Sequence, residues 1–260
     1  MLVHGLVSGL TSSLVSGIVP SEGGGSSPSL LEQAEALSTP LVRYVASESP
    51  GTINTDGTGS EATATDAVGR IPDLSGNGNY CVAGTIATPS DTARATLTQD
   101  GSYLAWDFNG TNNYYSLFDP PFLSDIGAII HVGTRATTGI VTIGLGRNGS
   151  STGTLWFSNN VQYYGLRNTW LAVSADTTTG AIVRTAWRSG ANEIIRVNGA
   201  QFASAAAAAA TVSVDSLGRG SSLFNSGLLH GLIVLPAGVS QEAVEAWEAY
   251  AASLNGATLA

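Results

Sequence analysis

The chain has 260 residues, of which 11% are charged and 32 are glycine. This length can bury one large core, and a low charge content with many small residues is typical of an all-β fold rich in turns. The ten basic residues are all arginine, and the net charge of −9 argues against nucleic acid as a partner because such a surface repels a phosphate backbone.

Two further features of the composition limit the class of protein. The sequence contains no uninterrupted apolar run of about 18 residues, so we expect no membrane-spanning helix. Cys81 is the single cysteine, which excludes a disulfide within the chain. No histidine stands at a spacing from Cys81 that suggests catalysis, and we expect this thiol to be a small buried apolar group.

A short repeat occupies residues 5–18. A small residue followed by an aliphatic one recurs every four positions, and in a helix this spacing aligns two adjacent stripes. Small residues let backbones approach closely, so the repeat predicts a segment that packs against another chain, with a flexible tail as the alternative. A linker rich in glycine and serine follows at residues 20–28. The predicted anchoring residues are Leu6, Gly9, Leu10, Leu14, Gly17 and Ile18.

Two helices are predicted outside the strand-rich part of the chain. Ser29 and Glu32 have the spacing of a capping box, and the short helix that they begin runs to about residue 37. An amphipathic helix over residues 241–254 follows Ser240, its predicted N-cap. The predicted apolar faces comprise Leu30, Leu31, Ala34 and Leu37 in the first helix and Val244, Trp247, Ala251 and Leu254 in the second.

The strongest local signal for a fold lies between residues 104 and 118. Alternating apolar residues predict a strand with one buried face, and Asn109-Gly110 then permits a tight reversal because both residues tolerate positive φ. An aromatic return strand follows, so the stretch predicts a β-hairpin. We expect Phe108 and either Tyr114 or Tyr115 to face the core.

Many short strands separated by turn residues predict a β-sandwich or barrel. The almost wholly apolar run 228–235 is typical of a central strand buried on both faces. The six-alanine run 205–210 is interpreted as a loop or an edge segment. The predicted strands cover residues 41–46, 128–133, 140–145, 154–158, 162–166, 170–175, 181–187, 193–197, 212–217 and 228–235.

The order of these motifs resembles that of concanavalin A-like, laminin G-type jelly-roll domains over residues 41–258. The motifs that carry the resemblance are Asp73-Leu74-Ser75-Gly76-Asn77-Gly78-Asn79, Phe108-Asn109-Gly110-Thr111-Asn112-Asn113-Tyr114, Trp170-Leu171-Ala172-Val173, Arg196-Val197-Asn198-Gly199, Gly231-Leu232-Ile233-Val234 and the helix at 242–250. The resemblance implies an all-β fold, a two-sheet antiparallel jelly-roll sandwich with a short N-terminal helical or extended anchor and a C-terminal helix. It also implies use in glycan binding, adhesion or structural display, although fold does not fix function.

Asn109 and Asn113 depart from this family pattern, which has acidic residues at both positions. Hard cations such as Ca²⁺ prefer several anionic oxygens, so we predict no metal site at this turn and no cofactor elsewhere.

The carboxylates and histidines do not form a recognisable catalytic pattern. A glycosidase on this fold uses two carboxylates, about 5–5.5 Å apart for retention, and the sequence has no motif that supplies such a pair. His4, His131 and His230 are far apart in sequence and stand in apolar contexts, so we expect core or interface histidines. The scattered carboxylates interpreted as turn or rim groups are Asp107, Asp119, Glu193 and Asp215.

One turn mixes aromatic and amide side chains in the way that sugar-binding sites do. The candidate glycan-binding residues are Trp156, Asn159, Asn160, Tyr163 and Tyr164. The alternative, which the sequence favours, is that they are sandwich core and turn residues. Trp106, Trp170 and Trp247 are assigned to the core.

The N-terminal repeat, the glycine- and serine-rich linker and the weakly charged body resemble virion proteins of tailed phages or phage-like particles. This resemblance implies a non-enzymatic virion structural protein, a capsid decoration, spike or fibre component at the virion surface. Its expected domains are an anchor and linker at 1–27, a connecting helix at 28–40 and a jelly roll at 41–260. Its expected partners are other virion proteins, further copies of the chain and a host-surface glycan. A free bacterial lectin-like adhesion module, extracellular or at the cell surface, is the alternative, and a glycoside hydrolase is a distant one.

Overall fold

The structure, a computed structural model, describes residues 27–121, 123–135, 178–207, 215–220 and 223–260, together with the backbone of short strands between residues 142 and 173. The predicted anchor and most of the linker lie outside the described residues. The strands are β1 (Val42–Val45), β2 (Arg70–Ile71), β3 (Cys81–Ala83), β4 (Thr96–Asp100), β5 (Tyr103–Asn109), β6 (Tyr115–Leu117), β7 (Ile126–Arg135), β8 (Thr142–Ile143), β9 (Leu145–Gly146), β10 (Trp156–Ser158), β11 (Val161–Tyr164), β12 (Leu171–Val173), β13 (Gly180–Ser189), β14 (Asn192–Val197), β15 (Ala200–Ala206), β16 (Ser216–Leu217), β17 (Arg219–Gly220), β18 (Leu223–Phe224) and β19 (Ser226–Pro236).

The two predicted helices are confirmed as α1 (Leu30–Leu37) and α2 (Gln241–Ser253). Ser29 and Glu32 form the complete capping box of α1, and the side chain of Ser240 caps α2. The apolar face of α2 is buried as predicted, but that of α1 is only partly so, because Leu30 and Leu37 are 42% and 44% exposed. An eight-residue helix can turn only one narrow stripe toward its neighbour.

The strands form two main antiparallel sheets. The large sheet has the order β15-β14-β13-β7-β19-β5-β4, with β1 also paired to β19, and the small sheet has the order β2-β3-β6-β16-β9. A further sheet, β12-β11-β10-β8, adjoins the small one along the chain, since a single residue separates β8 from β9. The predicted all-β sandwich with a C-terminal helix is confirmed.

The large sheet is buried on both faces. One face meets the small sheet in a core that contains Trp106, Phe108 and Tyr115. The other face packs against α1 and α2 in a second core, where Trp247 is fully buried and its indole N–H donates to the carbonyl of Ser38 at 3.0 Å. The central strand β19 contributes to both cores, which confirms the prediction made for residues 228–235.

The predicted hairpin at residues 104–118 is wrong in its pairing. Strand β5 pairs with β4 and β19 in the large sheet, whereas β6 pairs with β3 and β16 in the small sheet. The turn between them is widened by side-chain bonds, since Asn109 Oδ1 accepts the N–H of Thr111 at 2.9 Å and Asn113 Oδ1 accepts the N–H of Asn109 at 2.8 Å. The chain therefore crosses from one sheet to the other. Phe108 and Tyr115 face the core as predicted, with ring centroids 6.0 Å apart.

The alanine run begins at the end of an edge strand. Strand β15 includes the first two of these alanines and pairs only with β14 at the margin of the large sheet. This agrees with the prediction of an edge segment, and residues 208–210 lie outside the described part.

Candidate functional site

The outer face of the small sheet carries the most exposed aromatic group of the described residues. Side chains alternate along these strands, so that Cys81, Tyr115 and Leu117 enter the core while the flanking Tyr80 and Phe118 point outward. Phe118 is 46% exposed, although large apolar side chains are usually buried.

A continuous stack is formed by the side chains of Arg70, Tyr80 and Phe118, here called the aromatic stack. The rings of Tyr80 and Phe118 are parallel within 9°, with centroids 4.8 Å apart. The guanidinium carbon of Arg70 lies 3.6 Å from the centre of the Tyr80 ring. Both faces of Tyr80 are thus occupied, since a ring and a guanidinium at these distances cannot share one face. The outer face of Phe118 meets no ring of the described residues.

Backbone contacts hold the stack in place. The N–H of Phe118 donates to the carbonyl of Tyr80 at 2.9 Å, and this bond holds the two residues opposite each other on neighbouring strands. Asp119 then turns the chain away with a φ of 52°, a left-handed conformation that few residues other than glycine adopt. The exposed ring is therefore presented by a constrained strand end.

A cleft of about 400 Å³ lies at the Arg70 end of the stack. The lining residues include Ser49, Gly51, Thr52, Gly57, Glu61 and Arg70. Thr52 lies between the two charged residues, Glu61 and Arg70, because it forms an antiparallel bridge with each of them. Directly opposed residues of antiparallel strands point to the same side, so Glu61, Thr52 and Arg70 share one face.

The two charges of this cleft are not neutralised by each other. Arg70 donates through Nη1 to the backbone carbonyl of Asp56 at 3.1 Å and has no carboxylate oxygen of the described residues within ion-pair distance. Hydrogen bonds from Thr58, with a smaller contribution from the Arg70 charge, lower the pKa of the Asp56 carboxyl. The exposed Glu61 carboxylate has no hydrogen-bond or ion-pair partner within the described part of the chain. The cleft therefore offers a hydrogen-bond donor and an acceptor at separate places.

Two glycines allow the cleft wall to approach Arg70. Gly51 has a φ of +101°, and a Cβ there would lie 2.3 Å from the carbonyl oxygen of Arg70. Gly57 has a φ of +83°, and its Cβ would lie 2.4 Å from Arg70 Nη1. A larger residue at either position would require the wall to move.

The polar residues of the jelly-roll motifs have structural roles. Asp73 accepts four bonds, from the N–H groups of Arg43, Ser75 and Asn79 at 2.9–3.0 Å and from the Ser75 hydroxyl at 2.7 Å. Asn113 donates through Nδ2 to the carbonyl of Arg94 at 2.6 Å, a bond that a carboxylate could not make. No group of three or more His, Cys, Asp or Glu that could hold a metal occurs among the described residues.

The buried titratable groups agree with the sequence analysis, with one exception. His131 and His230 are buried as predicted, and burial, with the nearby Arg184, lowers the pKa of His131 to about 3. Burial raises the pKa of the Cys81 thiol, which keeps this group protonated. The prediction for Glu193 is wrong: its carboxylate is fully buried, because β14 turns it toward the interior with Ile195.

The residues predicted to bind glycan are only partly described. Trp156 lies on β10 opposite Tyr163 on β11, next to Tyr164, and these pairs concern the backbone alone. Asn159 and Asn160 lie outside the described residues, as do His4 and Trp170. The same is true of the anchoring residues Leu6, Gly9, Leu10, Leu14, Gly17 and Ile18. Trp106 and Trp247 are fully buried, as predicted.

The sequence analysis missed the aromatic stack. Tyr80, Arg70 and Phe118 each stand one position away from a buried residue of a short strand, so their outward orientation follows from the period of two. Their meeting does not follow from the sequence, because it depends on the order of β2, β3 and β6 in the sheet.

Comparison with solved structures finds β-sandwich proteins that act on or bind arabinose-containing sugars. A GH54 α-L-arabinofuranosidase soaked with a cyclic sulfate inhibitor matches with a TM-score of 0.61 and 11% identity over 87% of this chain. Domain 4 of AbnA, a GH43 extracellular arabinanase from Geobacillus stearothermophilus in complex with arabinotriose, matches with a TM-score of 0.53 and 12% identity over 84% of this chain and 98% of that domain. An arabinofuranosidase complexed with arabinofuranosyl-α-1,2-xylobiose gives a TM-score of 0.58 and 11% identity over 84% of this chain and 60% of that enzyme.

These similarities establish the fold and not the activity. The present chain spans 64% of the length of the GH54 arabinofuranosidase that it matches. The sequence matches no protein-family model and no curated protein. Within the described residues, no helix is long and apolar enough to cross a membrane.

Proposed function

We propose that this protein is a non-catalytic glycan-binding β-sandwich, displayed on a virion surface through its N-terminal segment. The observation that carries glycan binding is the exposed face of Phe118 at the end of the aromatic stack. Sugar rings have apolar C–H faces that pack against aromatic rings, and sugar sites combine such rings with a few fixed polar groups. The cleft beside Arg70 supplies the polar groups.

The structural similarities support a binding role. Domain 4 of the arabinanase is matched over 98% of its length, and its structure is described as a complex with arabinotriose. A whole separate domain of this shape therefore holds an oligosaccharide in another protein. This match also favours the second candidate function, a free bacterial lectin-like adhesion module.

We propose no hydrolytic step at this cleft, because glycoside hydrolysis needs two suitably spaced carboxylates. Hydrolysis with retention uses two carboxylates about 5–5.5 Å apart, and hydrolysis with inversion uses two that are about 6.5–9.5 Å apart. Glu61 is the acidic residue among those that line the described cleft. The nearby Asp56 carboxylate accepts bonds through Oδ1 from the N–H and the hydroxyl of Thr58, at 2.8 Å and 2.6 Å, and these bonds stabilise its own loop.

Binding is tested with an immobilised panel of neutral and acidic oligosaccharides that includes arabinotriose. Phe118→Ala is expected to weaken binding about tenfold, because an aromatic contact of this kind contributes about 1–1.5 kcal/mol. Phe202→Ala is the matched control, since Phe202 is 36% exposed but lies on the edge strand β15 of the large sheet. Equal binding by both variants would refute the role of Phe118, and no binding by the wild type would refute the glycan-binding proposal.

The virion role rests on the four-residue repeat at 5–18 and the linker that follows it. A chain that lacks residues 1–27 is expected to keep its fold and any glycan affinity but to lose incorporation into particles. Normal incorporation of this truncated chain would refute the anchoring role of the N-terminal segment.

A further inference from the structure

We infer that the cleft between Arg70 and Glu61 is a sugar subsite that binds a neutral sugar through two adjacent hydroxyl groups. This inference rests on the proposed glycan-binding function and adds the site and the class of sugar. Arg70 supplies the hydrogen-bond donor and Glu61 the acceptor, and both lie on one face.

The backbone sets the distance between the two charges. Thr52 bridges to Glu61 on one side and to Arg70 on the other, so the two residues occupy the outer positions of a three-strand arrangement. Two strand spacings place their Cα atoms about 9–10 Å apart. The side chains share one face but form no ion pair, which leaves room for a small polar ligand between them.

The chemistry of the two groups selects a hydroxyl pair. A guanidinium only donates hydrogen bonds, and an ionised carboxylate only accepts them. A hydroxyl group does both, so neighbouring hydroxyls of one sugar can accept from Arg70 and donate to Glu61. A uronic acid would gain from Arg70 but would be repelled by Glu61 and by the negative net charge of the protein.

The contacts of Arg70 fix its guanidinium in the absence of a ligand. Its guanidinium lies on the Tyr80 ring at 3.6 Å, and its Nη1 donates to the carbonyl of Asp56 at 3.1 Å. Gly57 lets the loop close against it. A fixed planar group loses little conformational entropy on binding, and a lysine could not reproduce both the stacking and the forked donors.

The aromatic stack joins the subsite to the exposed ring. Arg70 belongs to both the cleft and the stack, whereas Phe118 ends the stack on the other side of Tyr80. An oligosaccharide that places one unit in the cleft and another against Phe118 must extend along the whole stack. Loss of either contact should weaken binding of the same ligand.

The test is titration calorimetry of the full chain with arabinotriose and with trigalacturonate. Glu61→Gln and Arg70→Lys are each expected to weaken arabinotriose binding about tenfold, since Glu61→Gln replaces a charged acceptor with a neutral one and Arg70→Lys loses the stacked, forked donor. Glu61→Gln should not disturb folding, because the Glu61 carboxylate has no hydrogen-bond or ion-pair partner among the described residues and the backbone bridge to Thr52 is unchanged. Glu242→Gln, an exposed change in α2, is the control and should bind as the wild type does.

The outcomes separate this inference from the proposed function. Tighter binding of trigalacturonate than of arabinotriose would overturn the neutral-sugar inference and leave glycan binding intact. The same follows if Phe118→Ala weakens binding while both cleft variants match the control. If the wild type binds no oligosaccharide of the panel, the proposed function and the inference both fail.

Discussion

The hydroxyl group of Tyr115 is expected to contribute a large part of the stability of the sandwich. The side chain is fully buried, its hydroxyl donates to the carbonyl of Val68 at 2.8 Å, and it accepts the N–H of Ala95 at 2.9 Å. Tyr115→Phe removes the oxygen and leaves both buried backbone groups without this partner. Each such group costs about 1–3 kcal/mol, so we expect a loss of about 2–4 kcal/mol in the free energy of unfolding. Domains of ordinary stability have about 5–15 kcal/mol in total.

Tyr114→Phe is the matched control for this measurement. Tyr114 is the preceding residue and is half-buried against the same core, where its ring is 6.0 Å from that of Phe224 and 4.6 Å from the guanidinium carbon of Arg219. Its hydroxyl has no hydrogen-bond partner in the described part of the chain. Urea unfolding of both variants should give a lower midpoint for Tyr115→Phe and an almost unchanged one for Tyr114→Phe. If Tyr115→Phe lost less than about 0.5 kcal/mol, the assignment of its hydroxyl as the partner of two buried groups would be wrong.

Two further predictions concern buried charge. Glu248→Ala should lower the free energy of unfolding by about 3–5 kcal/mol, because Glu248 is 1% exposed and both its carboxylate oxygens accept from Arg196 Nε. The Glu245 carboxylate lies 3.5 Å from the same arginine but its side chain is 45% exposed, so Glu245→Ala should cost less than about 1 kcal/mol. Equal effects of the two variants in urea unfolding would contradict this. Burial lowers the pKa of His131 to about 3 in the folded protein, whereas an exposed histidine in the unfolded chain has a pKa of about 6.5. The unfolded chain therefore binds the proton first, and the free energy of unfolding should decrease as the pH falls from about 6.5 toward 3. His131→Gln should flatten this pH dependence, and an unchanged dependence of the free energy of unfolding on pH would exclude His131 as its source.

The sequence predicted those elements whose signals are local. The capping box at Ser29 and Glu32 and the cap at Ser240 depend on contacts within one turn of a helix, so the beginnings of both helices could be placed. The apolar run of β19 showed its central position because both of its faces are buried.

The pairing of β5 and the position of the aromatic stack depended on information that the sequence does not carry locally. An Asn-Gly turn is compatible with a hairpin and with a crossing between sheets, and here the edges of β5 are taken by β4 and β19. Arg70, Tyr80 and Phe118 are separated by 10 and 38 positions in the sequence, and only the order of three strands brings them together. The glycan-binding residues predicted from the sequence all came from one turn, because a sequence shows directly only which residues are neighbours along the chain.

The large sheet separates two sides of the molecule. Helix α1, the first described element of the chain, packs with α2 on one side of this sheet, and the aromatic stack lies beyond the small sheet on the other. Copies that are held from the helix side of the large sheet would therefore direct every Phe118 away from the surface that holds them. Weak binding at each copy would then add up through avidity, because neighbouring copies present their stacks toward the same target.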